Sequence, residues 1–478
     1  MTITPEESQL LSGVRVAALV TNTCAPDPRV MKQAETIAKA GAEVTIFCMQ
    51  GDEDVPNSQT LNGVKYHRLP SIIYSPELLL KAHMYFFLSS LKAYPVQTIL
   101  LAMAFFGIVG IKKLRIVAQK VMKFIFFGRG VISPWPEFLR GKKSPFLSVM
   151  HAVYMFLRSE IYRQIFLESI VAYQPDIIHA HDFDTVPAAL GYAKKTNAKV
   201  IFDAHEIEAD RVGSNDNLSR WILKRELRRY LPKIDALIAV NQSSTKFYSE
   251  EYNLGHIPQA IIYNSPLTKS SDHAIDGAYH AFNLREKLKI PKEEILFVYT
   301  GNIGITRGVP EIVEAMKPVY GTHLCIMGTQ RDNILKEFNA HVSKLNMDER
   351  VHILPPVPHE AVTETIKSAD ISIMFILPSC SNYTYCSPNK LFEAAMAGLP
   401  IVGPDLPEIE RFIIGEGIGV IVKAGDIKDL TRAIAETAQD PLRFRPDAQK
   451  LQALREKWSW SAQEKTLVPF YKRVLARH

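Results

Sequence analysis

Ser387-Pro388-Asn389-Lys390-Leu391-Phe392-Glu393-Ala394-Ala395-Met396-Ala397-Gly398-Leu399-Pro400 reads as a short helix with both ends marked. Ser387 is a good N-cap and Pro388 suits the first helical position. Gly398 and Pro400 stop the helix, and the apolar pair Ile401-Val402 follows as a strand. The same alternation recurs outward in both directions. Strands are expected at Leu296 to Thr300, Leu324 to Met327, Val351 to Leu354, Ile371 to Phe375 and Val420 to Val422. In the first half they are expected at Val14 to Val20, Val44 to Phe47, Ile177 to Ala180, Val200 to Phe202 and Ala236 to Val240. Helical patterns separate them; Val30, Ala34, Ile37 and Ala38 share one helical face between the first two strands. Strands spaced by helices imply right-handed βαβ units, and therefore an α/β protein with two Rossmann-like domains, each built on a parallel sheet. Ser265 to Ala281 is polar and without periodicity, so the boundaries are set at 1–264, a linker at 265–290, and 291–457.

Composition agrees with a large folded core. Of 478 residues, 47% are hydrophobic and 22% charged, which excludes a disordered chain. Five scattered cysteines make no disulfide framework and read as reduced thiols of a cytoplasmic protein. Met1 to Gly13 has no basic start and apolar core, so no secretory signal is read there. The net charge of +6 points to an anionic partner. Nucleic acid is not that partner, because the basic residues interleave with aliphatic runs rather than with aromatics and glycines.

A helix opened as at Ser387 presents N–H groups and a partial positive charge, the natural seat of a diphosphate, and Lys390 in the first turn adds charge. Glu393 lies roughly 9 Å down the helix from the cap, comparable to the reach from a β-phosphate to the ribose of the same nucleotide. A carboxylate there can accept both ribose hydroxyls. Read from the residues alone, a capped surface helix with an exposed glutamate fits equally well.

This stretch resembles the donor-site helix of family 4 retaining glycosyltransferases, in the form Pro-Asn-Lys-Leu-x-Glu-x-x-x-Ala-Gly-x-Pro. Asp405-Leu406-Pro407-Glu408, Gly417-Ile418-Gly419 and Gly425-Asp426 continue the resemblance downstream. Tyr299-Thr300-Gly301-Asn302-Ile303-Gly304 and Arg307-Gly308 continue it upstream. It implies the GT-B fold, two Rossmann-like domains facing a cleft, with a nucleotide-diphosphate-sugar as donor substrate and no further cofactor. It also implies a donor site of Ser387, Pro388, Asn389, Lys390, Leu391, Glu393, Gly301, Asn302 and Gly304, with Arg307 stabilising the leaving diphosphate. Two positions depart from the family. Asn302 stands where the first member of a basic pair often stands, and Tyr385 stands where the first of two spaced glutamates belongs.

In the first half, Asp27-Pro28-Arg29-Val30 opens the first helix, with Asp27 as its cap. Together with Gly41-Ala42-Glu43-Val44 it resembles the opening of bacterial exopolysaccharide enzymes of that family. Asn22-Thr23 replaces the usual paired glycines. His179-Ala180-His181-Asp182 ends a strand with both histidines on one side, and Asp203-Ala204-His205-Glu206 ends the next. The resemblance makes His181 the residue that touches the transferred sugar. Asn22, Asp27, Arg29, His205 and Glu206 are assigned to the acceptor side. No third ligand beside the two histidines was found, so no metal site is expected. The last segment, 458–478, with Trp458, Trp460 and Tyr471, is expected to return to the first domain.

Tyr74 to Pro145 breaks the rhythm. Ile99 to Phe106 is apolar and is followed by Lys112, Lys113 and Arg115; Lys120 and Lys123 flank Phe124 to Phe127. The run is short of the roughly 20 residues a bilayer span needs. Apolar faces edged with lysine and arginine suit a helical insertion lying on an anionic membrane surface. An insertion packed on the sheet and a true span are the alternatives. The expected function is retaining sugar transfer in cell-surface polysaccharide synthesis, to a lipid-linked or saccharide acceptor, peripheral at the inner face of the cell membrane. A non-catalytic donor-binding subunit and a nucleotide-sugar epimerase or hydrolase are the rivals.

Overall fold

The computed structural model describes residues 9–24, 27–51, 55–70, 145–210, 217–267, 281–304 and 306–477. The insertion read at Tyr74 to Pro145 lies outside them, save Pro145 itself. The first sheet comprises β1 (Arg15–Leu19), β2 (Glu43–Met49), β3 (Ser58–Leu61), β4 (Val64–Leu69), β5 (Ile177–His181), β6 (Lys199–Ala204), β7 (Ala236–Ala239) and β8 (Gln259–Ile261). Its order is β3-β4-β2-β1-β5-β6-β7-β8, and β3, which pairs antiparallel with β4, is an edge. The second sheet comprises β9 (Ile295–Thr300), β10 (Thr322–Met327), β11 (Val351–Leu354), β12 (Ile371–Ile373), β13 (Ile401–Pro404) and β14 (Gly419–Val422), in the order β11-β10-β9-β12-β13-β14. All five pairings of neighbouring strands in this sheet are parallel. That is the doubly wound order, in which successive strands are added outward in one direction up to β11 and in the other from β12, the switch lying between β9 and β12. The first sheet reverses in the same way between β1 and β5. Ligand sites of such sheets gather at the carboxyl ends of strands beside the reversal.

The helices are α1 (Pro28–Lys39), α2 (Pro145–Tyr173), α3 (Val186–Ala193), α4 (Asn217–Tyr230), α5 (Gln242–Glu251), α6 (Leu284–Leu288), α7 (Val309–Met316) and α8 (Asp332–Lys344). They continue as α9 (His359–Ile366), α10 (Ser381–Thr384), α11 (Asn389–Ala397), α12 (Pro407–Glu416), α13 (Ile427–Gln439), α14 (Ala448–Trp458) and α15 (Trp460–Leu475). Their ends follow local chemistry. Asp27 caps α1, Asn241 caps α5 and Asp426 caps α13, each side chain accepting from an N–H of the first turn. Gly398 ends α11 in the left-handed region, as the sequence predicts. The opening of α11 differs from expectation. Its cap is Pro388, not Ser387, because the Ser387 hydroxyl is engaged elsewhere: it donates to Val240 O at 3.4 Å and accepts from Asn241 Nδ2 at 3.1 Å.

By internal contacts the chain forms two compact units, residues 9–203 with 214–236, and residues 204–213 with 237–478. In the second unit the six-stranded sheet is covered on one side by Val309, Ile312, Val313, Met316 and Ile434, and on the other by Leu391, Phe392 and Ile413. Helix α15 packs on β8, and Tyr263 N donates to Gln463 Oε1 at 3.0 Å. Among the described residues no helix is long and apolar enough to cross a membrane. All five cysteines are free.

The second unit is clamped by Glu416, which accepts from Lys457 Nζ at 2.6 Å, Trp458 Nε1 at 2.9 Å and Lys450 Nζ at 3.2 Å. Trp458 in turn packs its ring against Phe392 of α11 and Phe412. Burial pushes the Glu416 carboxyl up, but the three donors outweigh it and hold it below its usual value of 4.5. A lowered carboxylate stabilises the fold above its unfolded value and loses that contribution as pH falls through the folded one. Glu416→Gln is therefore expected to lower Tm by about 3–6 °C at neutral pH, with the difference closing below roughly pH 4, in thermal melts across pH.

Candidate active site

The donor residues named from the sequence gather in the second unit, at the carboxyl end of β9 and the start of α11. Gly301 follows β9 at φ +126°, and a Cβ there would stand 3.2 Å from Lys390 Nζ. The backbone must therefore carry no side chain if the lysine is to lie across it. Lys390 Nζ rests 3.5 Å from the centre of the Tyr299 ring. Tyr299 donates its hydroxyl to Asn302 O at 3.1 Å, so Asn302 serves the loop through its carbonyl while its side chain is exposed. Gly304 lies against the Arg307 stem, and the Arg307 guanidinium lies 5.0 Å over the Tyr383 ring. Gly308, at φ +69°, starts α7; a Cβ there would collide with Phe375 O at 1.8 Å.

Lys390 is buried, and its amine is pushed well below the usual lysine range by that burial and then by the nearby Arg307 charge, with Glu393 opposing. Two basic side chains beside one carboxylate suit an anion, whose charge would favour the protonated lysine. No side chain caps α11, and an uncapped helix start favours an anion. Pro388 sets the entry, and Asn389 accepts from Asn264 Nδ2 at 3.0 Å. Leu391 is fully buried and its N–H donates to Pro388 O, so it seats the helix rather than touching a ligand. Glu393, 6% exposed, accepts from Thr300 Oγ1 at 3.3 Å and lies 3.6 Å from His359 Nδ1.

The linkage of Lys390 carries its own prediction. Its folded value lies below the unfolded 10.5, so the unfolded state binds the proton more tightly and stability rises with pH toward that value. Lys390→Met is expected to raise Tm by roughly 2–6 °C near neutral pH and to flatten that pH slope. The same variant is expected to weaken nucleoside diphosphate binding about tenfold, measured by calorimetry.

Sequence reading missed several supports of this site. Gln330 accepts from Ile303 N at 2.6 Å and donates to Gly301 O at 3.2 Å, fixing the loop after β9. Asn241, fully buried, donates to Tyr385 O at 2.7 Å as well as to Ser387. Asn382 accepts from Ile207 N, and Asp210 from Ser381 N at 2.7 Å. Tyr385 therefore stands in a segment held by its backbone. These partners lie far apart in sequence, and only the Asn241 cap position carried any local signal.

The remaining candidates, apart from His205 and Glu206, lie in the first unit. Asn22 Nδ2 donates to Asp27 Oδ2 at 2.7 Å and Asn22 Oδ1 accepts from Cys24 N, so this pair shapes the loop into α1. Arg29 has buried Nε and Nη1 atoms without hydrogen-bond partners among the described residues. His181 ends β5 directly beside Asp203 of β6. Asp203 Oδ2 lies 3.2 Å from His181 Nδ1 and 3.4 Å from His179 Nε2, and accepts from Gln33 Nε2 at 2.8 Å. The two imidazoles stack at 4.1 Å, and all three residues are at most 2% exposed. The third group beside the two histidines is thus Asp203 of the neighbouring strand, 22 residues from His181 in sequence. The three ligand atoms lie within 4.8 Å of one another, close enough to hold a metal ion. Their separations from the shared oxygen are equally those of a hydrogen-bonded network. His205 and Glu206 follow β6 in the second unit, where Glu206 O accepts from the Tyr248 hydroxyl at 2.7 Å.

Comparison with known proteins agrees with this geometry. The family described as Glycosyl transferases group 1 matches residues 281–462, and Glycosyltransferase Family 4 matches residues 126–265. Glycogen synthase of Mycobacterium tuberculosis is 23% identical over 285 residues, which is 56% of this chain and 62% of that protein. The match thus spans less than two thirds of the curated relatives' length. Among solved structures, sucrose-phosphate synthase from Thermosynechococcus elongatus superposes with a TM-score of 0.66 at 14% identity, covering 97% of this chain and 99% of that one. The Anabaena HepE protein in complex with UDP-glucose gives 0.59 at 10% identity, over 96% and 99%. The trehalose 6-phosphate synthase of Burkholderia multivorans gives 0.60 at 12%, over 97% and 99%. These identities establish the fold, while the two family matches carry the resemblance in sequence. The chain is thus similar to these two glycosyltransferase families over residues 126–265 and 281–462, and it has the GT-B fold.

Proposed function

We propose that the protein is a retaining glycosyltransferase that moves a sugar from a nucleotide diphosphate to an acceptor hydroxyl. The observation that carries this is the uncapped start of α11 with Lys390 and Arg307 crowded beside it and Glu393 farther along the same helix. The diphosphate takes the helix amides and the two cations, and the ribose hydroxyls take the Glu393 carboxylate. As the bond from the anomeric carbon to the β-phosphate oxygen breaks, its electron pair passes to the phosphate, where these charges stabilise it. The acceptor oxygen bonds to the anomeric carbon on the same face and gives its proton to the departing phosphate. His181 orients the sugar.

The solved complex of a fold relative with UDP-glucose supports a nucleotide-diphosphate-hexose as donor. Residues 1–264 are assigned to the acceptor, 291–457 to the donor, and 265–290 to the linker. The basic apolar stretch Tyr74 to Pro145 supports a lipid-linked acceptor at the inner face of the cell membrane, in polysaccharide synthesis. Tyr385 and Asn302, which replace family residues, favour a second reading as a donor-binding subunit without turnover.

A panel of UDP-, GDP- and ADP-hexoses, assayed for nucleotide release with and without a membrane lipid extract, separates these readings. Acceptor-dependent release from one donor is expected. Release without acceptor points to hydrolysis or epimerisation, and binding with no release under any condition points to the subunit.

A further inference from the structure

Asn241 is fully buried, and both polar atoms of its side chain are used. Its Oδ1 accepts from Ser244 N at 2.7 Å and caps α5. Its Nδ2 donates to Tyr385 O at 2.7 Å and to Ser387 Oγ at 3.1 Å, partners 144 and 146 residues away. The amide can face only one way. Turned over, it would set Oδ1 against the Tyr385 carbonyl and Nδ2 against the Ser244 N–H. Glu408, also buried, satisfies the start of α5 a second time by accepting from Ser243 N at 2.7 Å. Two side chains thus meet the first turn of α5, and none caps α11.

That difference runs against local sequence. Ser387-Pro388-Asn389-Lys390 is a capping sequence, with serine placed before a proline suited to the first helical position. A Ser387 cap would set its oxygen on the N–H of Asn389 or Lys390, the second and third residues of a helix so begun. Instead the hydroxyl accepts from Asn241 and donates its own proton to Val240 O at 3.4 Å. The helix begins one residue later, after Pro388, whose side chain has no acceptor. A serine oxygen and a phosphate oxygen compete for the same first-turn N–H groups, so a cap here would oppose the ligand. We infer that Asn241 is a positioning residue of the donor site: by holding the Ser387 hydroxyl, it keeps the first turn of α11 open to a diphosphate. The inference rests on the reading of α11 as the seat of the diphosphate. It adds that this opening is set from the loop between β7 and α5, by a side chain buried away from solvent.

A double-mutant cycle on the full chain tests this, with UDP, GDP and ADP as probes in calorimetry. Asn241→Ser keeps an oxygen to cap α5 but loses the amide that reaches Tyr385 and Ser387. In the wild-type background it is expected to weaken the preferred diphosphate about fivefold, the worth of one serine cap. In the Ser387→Ala background, where no hydroxyl is left to cap α11, the same change is expected to cost less than about twofold. Amide hydrogen exchange is the second readout. Asn389 and Lys390 are expected to exchange roughly fivefold more slowly in Asn241→Ser than in wild type, and to lose that protection in the double variant. Should Asn241→Ser not fold, Asn241→Thr, another capping residue, carries the same cycle. An equal loss of affinity in both backgrounds overturns the inference and leaves Asn241 a structural support of the Tyr385 segment. Unchanged affinity in Asn241→Ser, or unchanged exchange at Asn389 and Lys390, overturns it too. Binding by wild type without coupling between the two positions fails this inference alone. Absence of diphosphate binding in wild type fails the donor reading and this inference together.

Discussion

Glu393→Ala is expected to weaken binding of the cognate nucleoside diphosphate by roughly 30- to 100-fold in calorimetry, or about 2–3 kcal/mol. The carboxylate is 6% exposed and is already aimed by the Thr300 hydroxyl and the His359 ring. Binding therefore needs little reordering of this side chain, and its loss removes the acceptor of two ribose hydroxyls at once. It also removes the carboxylate that opposes the lowering of the Lys390 amine. Glu393→Gln, which keeps an acceptor oxygen but no charge, should fall between. The pattern of bases matters as much as the loss. One preferred diphosphate among UDP, GDP and ADP would name the donor class. Unchanged affinity in the alanine variant would remove the ribose assignment, and with it the strongest support for a donor site at α11.

The second large effect is expected at Asp203, which the sequence reading left unassigned. One carboxylate oxygen faces His181 Nδ1 and His179 Nε2 and also receives Gln33. A carboxylate that accepts from Nδ1–H selects the imidazole tautomer whose Nε2 carries the lone pair. We infer that Asp203 is a positioning residue, setting His181 to accept a hydroxyl of the transferred sugar through that nitrogen. Asp203→Asn reverses the polarity of half the group and should favour the other tautomer. Expected is a fall of roughly 100-fold in kcat, with KM for donor and nucleotide affinity nearly unchanged. His181→Ala should show the same split. A merely structural role would instead lower Tm without separating kcat from KM. Metal analysis belongs in the same experiment, because these three residues can also hold an ion. Stoichiometric zinc lost in Asp203→Asn would replace the tautomer account with a metal site.

Much of this protein is legible in its sequence. The strands buried on both faces announce themselves as apolar runs: Leu296 to Thr300 and Ile177 to Ala180 carry enough hydrophobic side chains to mark both sheets. Gly398 and Asp27 mark helix ends because the left-handed turn and the cap demand those residue types. What escaped were the edges of the first sheet, and β4 beside one of them. β3 is four polar-leaning residues, and β8 is only three long. β4 reads Val-Lys-Tyr-His-Arg-Leu, an alternation too mixed to distinguish from a loop.

The candidate site divides along the same line. Motif spacing along one helix places Lys390 and Glu393, because a helix converts sequence interval into distance. Arg307 and Gly301 came from resemblance. Gln330, Asn241, His359 and Asp203 were out of reach, since each meets its partner across a long stretch of chain. The cap shows the limit in one residue. Ser387 has the right chemistry and the right position to cap α11, yet Asn241 and Val240 occupy its hydroxyl, and the helix starts uncapped. Local sequence determined which groups stand at the head of that helix. Tertiary packing decided which of their hydrogen bonds are already spent, and so left the start of α11, beside Lys390, without a side-chain cap.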